Sequence, residues 1–422
     1  MNRIKTWHFL SLLCVISTLA VLYEIPAQTL WHTATWSLVA GVVALVYMGA
    51  SCVLATRWKW VEDLFGGLDR VYETHKWLGI WALVLASFHF LFKAKLNIWD
   101  ISPILEIEKN WARFFRQLSF VGLGAIILLA LNRNIRYSIW RWLHKLSGPV
   151  FLVVVLHWLS QASPIALGSP AGIWLAIVSI LGVSGAFYKL FLYFFFAPGG
   201  IYRIARIERG PQAIYLTLEP KGRGARLQFS AGQFGFLSVL SSGLREPHPF
   251  SIASVENEKG TLHFVIRVLG DYTKTLYERA EVGMTASVQA PYGRFTRPST
   301  ASQELWIGAG VGITPFISWL QDQENRNFHT VSLVYCFDPE RAFPSFETIQ
   351  NLSEQAGVTL VPNPSGGQAL KECVRQAAQQ HDPTTIHISY CGPQGLLHKL
   401  QELMQELGIP EQNIQFELFE FR

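Results

Sequence analysis

Residues 75–89 read HKWLGIWALVLASFH, an apolar stretch with a histidine at each end. On an α-helix the separation of 14 residues spans about 21 Å, and 14 steps of about 100° return to nearly the same face. Ionisable side chains inside a membrane span indicate a functional site. The stretch therefore predicts a membrane helix with His75 and His89 at its two ends.

A second apolar stretch, residues 144–157 (HKLSGPVFLVVVLH), also has a histidine at each end. Its separation of 13 residues turns the two rings apart on an ideal helix. Gly148 and Pro149 lie between them, and a proline inside a helix permits a bend that restores alignment.

The two stretches predict two histidine pairs at matched depths, because the helices occupy the third and fifth spans and run in the same direction. Either pair could hold the iron of a b-type haem through neutral imidazole. A single histidine here would more commonly be a hydrogen-bonded structural residue, but two matched pairs favour ligands. The predicted pairs are His75 with His144 and His89 with His157.

The composition is that of a membrane protein with a soluble part. Half of the 422 residues are hydrophobic and 15% are charged, which excludes a disordered chain and an ordinary soluble enzyme. Five scattered cysteines indicate neither a disulfide framework nor a zinc site, and the basic residues do not form a nucleic-acid surface. No A-x-A cleavage site follows the first apolar run, so we predict no signal peptide. The predicted spans are residues 7–23, 34–56, 73–92, 117–132, 146–161 and 170–196.

Basic residues predict the orientation, because they are enriched in cytoplasmic loops. They precede the first span, lie between spans two and three and between four and five, and follow the sixth, whereas residues 24–33 and 162–169 contain none. We therefore expect both termini and the soluble part in the cytoplasm. One predicted outer loop, 93–116, departs from the pattern, with Lys93, Lys95, Lys109, Arg113 and Arg116.

After residue 200 the chain has the pattern of a soluble protein. Alternating runs at 213–218 and 262–268 predict strands. From residue 304 onward, apolar strands alternate with helical patterns, which predicts a parallel, doubly wound sheet.

Two short motifs suggest nucleotide chemistry. Residues 248–254 (HPFSIAS) offer the ring, hydroxyl and small side chains that a flavin needs, and Arg267 follows one strand later; a strand with a polar end is the alternative. Residues 308–315 (GAGVGITP) lie between a strand and a helix, as a phosphate-binding loop does. They are not a GxGxxG fingerprint, and a tight strand-to-helix turn is the alternative.

Cys391-Gly392-Pro393 ends a later strand. A buried structural cysteine is the usual explanation of such a residue, but ligands of open α/β sheets bind at this end of the strands.

These motifs together resemble the NADPH oxidase and ferric reductase superfamily over nearly the whole chain. The resemblance implies haem ligands at the four paired histidines, and residues Pro291-Tyr292-Gly293 close the flavin domain as in the family. It implies FAD contacts at His248, Pro249, Phe250, Ser251, Arg267, Gly270, Tyr272 and Thr273. It implies NAD(P)H contacts at Gly308, Gly310, Gly312, Thr314, Pro315, Cys391, Gly392 and Pro393, and a flavin-covering ring at Phe419, with Phe421 second.

The implied fold is a six-span membrane helical bundle fused to a ferredoxin-reductase-like module. The expected domains are a haem domain at 1–198, an antiparallel β-barrel FAD domain at 199–297 and an α/β NAD(P)H domain at 298–422. The expected cofactors are FAD, two b-type haems and NADPH or NADH. A bacterial, single-chain member in the inner membrane is implied, without regulatory extensions or an obligatory protein partner.

The chain departs from the family pattern after Val334-Tyr335-Cys336. NADPH-using relatives commonly carry an arginine there, whereas this chain has Phe337 and Asp338. Arg341 could reach a 2′-phosphate instead, while a carboxylate favours a free ribose hydroxyl. The choice between NADPH and NADH stays open.

The resemblance implies a transmembrane oxidoreductase, with hydride transfer to FAD at Ser251, Cys391 and Phe419. Iron with two histidine ligands has no open coordination site, so dioxygen would be reduced to superoxide by outer-sphere transfer. A ferric chelate is the alternative acceptor. A haem subunit that feeds a partner protein is a third hypothesis, which the fused nucleotide modules disfavour.

Overall fold

The computed structural model describes residues 4–132, 134–222, 226–298, 303–322, 328, 330–342, 345–365 and 368–417. Two compact units divide the chain, at Met1–Phe196 and Ala197–Arg422. The first unit is helical in its described part. Its helices are α1 (Thr6–Glu24), α2 (Thr33–Leu54), α3 (Lys59–Phe65), α4 (Leu68–Leu91), α5 (Lys109–Leu131), α6 (Tyr137–His144), α7 (Ser147–Ser160), α8 (Pro170–Phe187) and α9 (Tyr193–Phe196), with a π-helical turn, Tyr188–Leu192, before α9.

Within the described residues, five helical segments are long and apolar enough to cross a membrane. The helix that contains the predicted third span is not among them. The predicted third span lies in α4, a continuous helix of 24 residues. It is long enough to cross, but His75, Lys76 and His89 lower its hydropathy. By length and composition, five of the described helical segments are therefore apolar enough to cross a membrane, and α4 is a sixth long helix of lower hydropathy. The five segments are Thr6–Glu24, Thr33–Leu54, Lys109–Leu131, Ile139–Ser160 and Pro170–Phe196.

Two helix boundaries differ from the predicted spans. The helix that contains the fourth span begins at Lys109, ahead of the predicted residues 117–132, because its lysine and arginine side chains are good helix formers although they are not apolar. The fifth span is interrupted between α6 and α7, after His144, rather than at Pro149. Pro149 lies in the first turn of α7, where its missing N–H breaks no helical hydrogen bond.

Small residues hold α2 and α8 in close contact. A Cβ built on Gly182 would lie 2.8 Å from the Cα atom of Gly49. Glycine allows such backbone-to-backbone packing of membrane helices. Side chains on the same helices, including Val46 and Leu175, are fully buried.

The second unit begins with an antiparallel sheet of six strands, in the order β4-β3-β6-β1-β2-β5. Alternate residues of β6 are buried, as expected for a strand with one face on the core. A bridge between Ile252 and Phe264 connects the two edges, so the sheet curves towards closure as the predicted barrel requires. The elements are β1 (Gly200–Gly210), β2 (Ala213–Pro220), β3 (Phe234–Val239), β4 (His248–Ser251), β5 (Leu262–Arg267), α10 (Asp271–Arg279) and β6 (Thr285–Tyr292).

A parallel sheet of five strands follows, in the order β11-β10-β7-β8-β9. Its first strand in sequence stands in the middle, so the chain winds outward on both sides and leaves a crevice between the carboxyl ends of β7 and β10. The predicted doubly wound sheet is confirmed. The elements are β7 (Gln303–Ala309), α11 (Thr314–Gln321), β8 (Val331–Phe337), α12 (Phe346–Ala356), β9 (Thr359–Pro364), α13 (Ala369–Gln380), β10 (Ile386–Cys391), α14 (Gln394–Glu406) and β11 (Ile414–Glu417).

Candidate functional site

Four histidines of the first unit form two pairs. The ring centres of His75 and His144 lie 5.9 Å apart, and those of His89 and His157 lie 6.4 Å apart. A metal ion between two imidazoles, with metal–nitrogen bonds of about 2 Å each, separates the ring centres by about 6 Å. Both pairs therefore have room for one metal ion, and the members are those expected from the sequence.

The two histidines of α4 donate hydrogen bonds to carbonyl groups of α2. His75 Nδ1 lies 3.1 Å from the Ser51 carbonyl oxygen, and His89 Nδ1 lies 2.8 Å from that of Ser37. A proton on Nδ1 leaves Nε2 as the metal-binding nitrogen. By contrast, the buried Nδ1 atoms of His144 and His157 have no hydrogen-bond partner among the described residues.

The chemistry of the donor set fits haem rather than a bare metal ion. The described residues contain no group of three or more histidine, cysteine or acidic side chains that could hold a metal. A porphyrin supplies four nitrogens of its own and needs only two axial ligands. Gly79 lies one turn after His75, and a Cβ built on it meets nothing within 4 Å, which leaves open space beside the pair.

The structure adds one residue beside the first pair that the sequence analysis missed. The ring planes of Trp140 and His144 are 17° apart, with centres 5.2 Å apart. The two side chains are four residues apart on α6, where helical side chains meet. The four-residue separation of Trp140 and His144 in the sequence could have indicated this contact.

In the second unit, the flavin motif lies on β4. The Ser251 side chain is buried, and its Oγ has no hydrogen-bond partner among the described residues. A buried hydroxyl without a partner is costly, so the position suits a ligand with a polar edge. Phe234 is opposite Ser251 in the register of β3 and β4, as Phe236 is opposite Pro249.

Two predicted flavin contacts form an aromatic stack. The ring centres of His248 and Tyr272 lie 3.8 Å apart with planes at 24°, and Phe250 lies 6.5 Å from His248. His248 Nε2 is also 3.4 Å from a carboxylate oxygen of Glu246. Burial raises the pKa of the Tyr272 hydroxyl, so this ring stays neutral.

The predicted phosphate contacts after β5 have a local structural role. Thr273 Oγ1 accepts hydrogen bonds from the backbone N–H groups of Leu269 and Gly270, at 2.9 and 3.0 Å. The threonine therefore stabilises the start of α10, whose first turn also contains Asp271.

The glycine-rich loop and the Cys-Gly-Pro motif meet at the crevice between β7 and β10. A Cβ built on Gly312 would lie 3.1 Å from the Gly392 backbone nitrogen. Gly310 has a φ of +57°, which favours glycine. Other members of the two motifs lie nearby. Gly308 pairs with Cys391 in the register of β7 and β10, and Pro315 lies in the first turn of α11. Thr314 Oγ1 donates to the Val311 carbonyl at 2.7 Å, and the Pro393 carbonyl accepts from the Tyr390 hydroxyl at 2.6 Å.

Cys391 is fully buried, in a core cluster that also contains Ala253 and Val265. Burial, reinforced by the charge of Glu417, raises the pKa of its thiol well above the usual value. The thiol is therefore protonated and packed inside the unit, rather than on an open surface as expected of a catalytic group.

Glu417 is a site residue that the sequence analysis did not single out. It is opposite Cys391 in the register of β10 and β11. A Cβ built on Gly293 would lie 3.0 Å from Glu417 Oε1 and 2.8 Å from Phe234 Cδ1. Phe234 is the partner of Ser251, so β4, Gly293 and the carboxyl end of β10 come together at one place.

A cleft lies beside the glycine-rich loop, and Gly310 and Val311 are among its lining residues. Arg267, predicted to contact the flavin phosphates, lines this cleft, with Nη1 3.4 Å from a Cβ built on Gly310. Arg341 lines the same cleft, and its Nε is 3.7 Å from Asp338 Oδ2. Burial raises the pKa of Tyr335 to about 12, although the positive charge of Arg267 opposes the shift. Two arginines, Arg267 and Arg341, thus line the cleft together with the glycine-rich loop.

Phe419 and Phe421 lie outside the residues that the structure describes, so the flavin-covering ring stays a prediction.

Comparison with known proteins gives matches for both units. Residues 40–155 match the family "Ferric reductase like transmembrane component", and residues 212–305 match the family "FAD-binding domain". The first match includes His75, His89 and His144 and ends shortly before His157.

Three curated proteins illustrate the range of relatives. Dual oxidase 2 of Sus scrofa is 26% identical over 60% of this chain and 18% of its own length. A probable cell surface ferric reductase of Aspergillus oryzae is 24% identical over 79% of this chain and 48% of its own length. The reductase component of propane 2-monooxygenase from Rhodococcus jostii is 26% identical over 51% of this chain and 62% of its own length. The chain thus spans less than two thirds of each of these relatives.

Proposed function

The chain belongs to the NADPH oxidase and ferric reductase superfamily, and on this premise we propose that it transfers electrons from NAD(P)H across a membrane. FAD and two b-type haems are the proposed carriers. The observation that carries the proposal is the pair of ring separations, 5.9 and 6.4 Å, in the helical unit. Without the second pair, the unit would hold only one metal centre.

The helical unit would supply the protein ligands of both haems. His75 and His144 would hold one haem, and His89 and His157 the other. A bound haem supplies a one-electron iron couple. The carbonyl groups of Ser51 and Ser37 fix the tautomer of the α4 ligands, as their distances support.

The soluble unit supplies the nucleotide sites. We propose that Ser251 hydrogen-bonds the flavin ring, and that the loop from Gly308 to Pro315 binds the NAD(P)H pyrophosphate. Arg267 supports the same phosphates, because its guanidinium lies against Gly310. The proposed domain limits remain 1–198, 199–297 and 298–422.

We propose dioxygen as the acceptor, with superoxide as the product. The four histidines would leave no open position on either haem iron, so the acceptor would receive an electron without binding to the metal. We also propose the bacterial inner membrane as the location, with both termini and the soluble unit in the cytoplasm.

A ferric chelate is the second candidate acceptor, because residues 93–116 contain Lys93, Lys95, Lys109, Arg113 and Arg116. A guanidinium there favours anionic chelates over a neutral gas. Superoxide-dismutase-sensitive reduction of cytochrome c supports the oxidase. Dismutase-insensitive reduction of ferric citrate, weakened by Arg116→Gln, supports the reductase.

The haem assignment is tested by the pyridine haemochrome content of the purified full chain. We expect two haems per chain in the wild type and one in His89→Leu, with FAD reduction by NAD(P)H retained in both. His32→Leu, which changes an exposed histidine of the same unit, is the matched control. A colourless protein, or an unchanged haem content in His89→Leu, would contradict the proposal.

A further inference from the structure

Ser37 is a fully buried serine in the second turn of α2. Its backbone carbonyl accepts a hydrogen bond from His89 Nδ1 at 2.8 Å. Its hydroxyl oxygen lies 3.3 Å from the same nitrogen, as the weaker acceptor of a bifurcated hydrogen bond does. One residue of α2 therefore presents both of its oxygens to the imidazole of His89.

The proton of the same hydroxyl is directed to the end of α4. The last carbonyl groups of a helix have no partner within the helix, and an unpaired carbonyl group is costly inside a membrane. Ser37 Oγ donates a hydrogen bond to the carbonyl of Phe92, the residue that caps α4, and lies 3.4 Å from the His89 carbonyl oxygen. The hydroxyl therefore ties the last turn of α4, which carries His89, to α2.

Gly41, one turn further along α2, allows the imidazole to come this close. A Cβ built on Gly41 would lie 2.8 Å from His89 Nδ1 and 3.0 Å from His89 Cε1, which is too short for ordinary packing. The ring therefore lies directly against the backbone of α2. A change at Ser37 consequently acts on Nδ1 without an intervening side chain.

Ser51 provides an internal comparison for Ser37. The two serines are 14 residues apart on α2, the same separation as that of His75 and His89 on α4. The Ser51 carbonyl accepts from His75 Nδ1 at 3.1 Å, but the Ser51 hydroxyl is buried without a hydrogen-bond partner among the described residues. The carbonyl contact is thus common to both histidines of α4, whereas the hydroxyl contacts described for Ser37 distinguish His89.

We propose that Ser37 is a positioning residue whose hydroxyl strengthens the hydrogen bonding of His89 Nδ1 and thereby lowers the midpoint potential of the haem held by His89 and His157. The inference rests on the proposed function. Hydrogen bonding of the outer ring nitrogen raises the basicity of the ligating Nε2. A more basic nitrogen favours ferric over ferrous iron, and such hydrogen bonds tune haem potentials.

The first measurement is a redox titration of the purified holoenzyme, followed by haem absorption. Ser37→Ala removes the second acceptor and the tether to Phe92, so it should raise one midpoint potential. We expect about a threefold change in the reduction equilibrium, or about 28 mV at 59 mV per tenfold for one electron. The affected haem should be the one that is missing in His89→Leu.

Two further variants control this measurement. Ser37→Thr keeps the hydroxyl and should restore the wild-type potential. Ser87→Ala is the matched control, because the Ser87 hydroxyl lies two residues from His89 but donates to the Leu83 carbonyl within α4. It should leave both potentials unchanged.

Ser37→Cys keeps the proposal testable if Ser37→Ala fails to retain the haem. A thiol is similar in size to a hydroxyl but is a weak donor and a weak acceptor. The potential of the haem held by His89 and His157 should therefore rise in Ser37→Cys, and its electron paramagnetic resonance g-values should change. Wild-type potentials in Ser37→Cys, or a shift confined to the haem held by His75 and His144, would overturn the inference.

The two proposals fail in different ways. A protein without haem contradicts the proposed function as well as this inference. Two haems per chain, with both potentials unchanged in Ser37→Ala and Ser37→Cys, contradict the role of Ser37 alone.

Discussion

The indole of Trp140 lies nearly parallel to the imidazole of His144, with planes 17° apart and centres 5.2 Å apart. The histidines of α4 are oriented by carbonyl groups of α2, whereas His144 has no such partner for Nδ1 among the described residues. Stacking is therefore the contact that fixes the plane of this imidazole, and Trp140 is a positioning residue.

Trp140→Leu should alter the electron paramagnetic resonance g-values of one low-spin haem, because the angle between its axial ring planes is no longer fixed. Trp140→Phe keeps an aromatic face and should change them less. Trp142→Leu, at an exposed tryptophan of the same helix, is the matched control. Identical spectra for Trp140→Leu and the wild type would exclude the positioning role.

Gly41→Ala should reduce binding of the haem held by His89 and His157. The added Cβ would lie 2.8 Å from His89 Nδ1, and overpacking of this kind costs about 1–3 kcal/mol. Haem content should fall from two towards one per chain. Gly168→Ala, where a Cβ meets nothing within 4 Å, should keep both haems, and full occupancy in Gly41→Ala would contradict the ligand geometry.

Arg341→Gln should distinguish the two nicotinamide cofactors. A charge-assisted hydrogen bond to a 2′-phosphate contributes about 1.5–3 kcal/mol, so its loss should raise KM for NADPH by roughly 10-fold or more. KM for NADH should change little. Arg375→Gln, at an exposed arginine of α13, is the control. An unchanged KM for NADPH, together with a higher KM for NADH in Asp338→Ala, would identify NADH as the substrate.

Cys391 should resist alkylation in the folded protein. Burial raises the pKa of its thiol, so the reactive thiolate is absent and the sulfur is inaccessible. Above about pH 8.5, the ordinary thiol pKa, the unfolded chain ionises there while the folded chain does not, so the free energy of unfolding declines as pH rises. Peptide mapping after iodoacetamide treatment at pH 8 should find Cys391 unmodified until denaturant is added. Rapid native modification would show that the crevice opens.

Local patterns predicted much of the molecule. Histidine spacing along each helix, with the order of the spans, predicted both pairs, and the alternation of strands and helices predicted the parallel sheet, because both patterns can be recognised along the chain. The position of the break before α7 was wrong, since the proline fits the first turn and the chain bends just ahead of it.

Long-range packing decided the rest. The contact of Arg267 with Gly310 joins two sheets, and that of Glu417 with Cys391 depends on strand register. Neither contact can be recognised from the positions of its two residues in the sequence.

The close approach of Gly182 to Gly49 has a consequence for the first unit. It leaves α2 no room to slide against α8, and α2 carries the carbonyl groups that orient two imidazoles. The imidazoles of His75 and His89 are therefore both held by the tightly packed helix α2. A redox centre mounted on them would change charge with little movement of the surrounding nuclei, which is the condition for a low reorganisation energy and for rapid exchange of electrons in either direction.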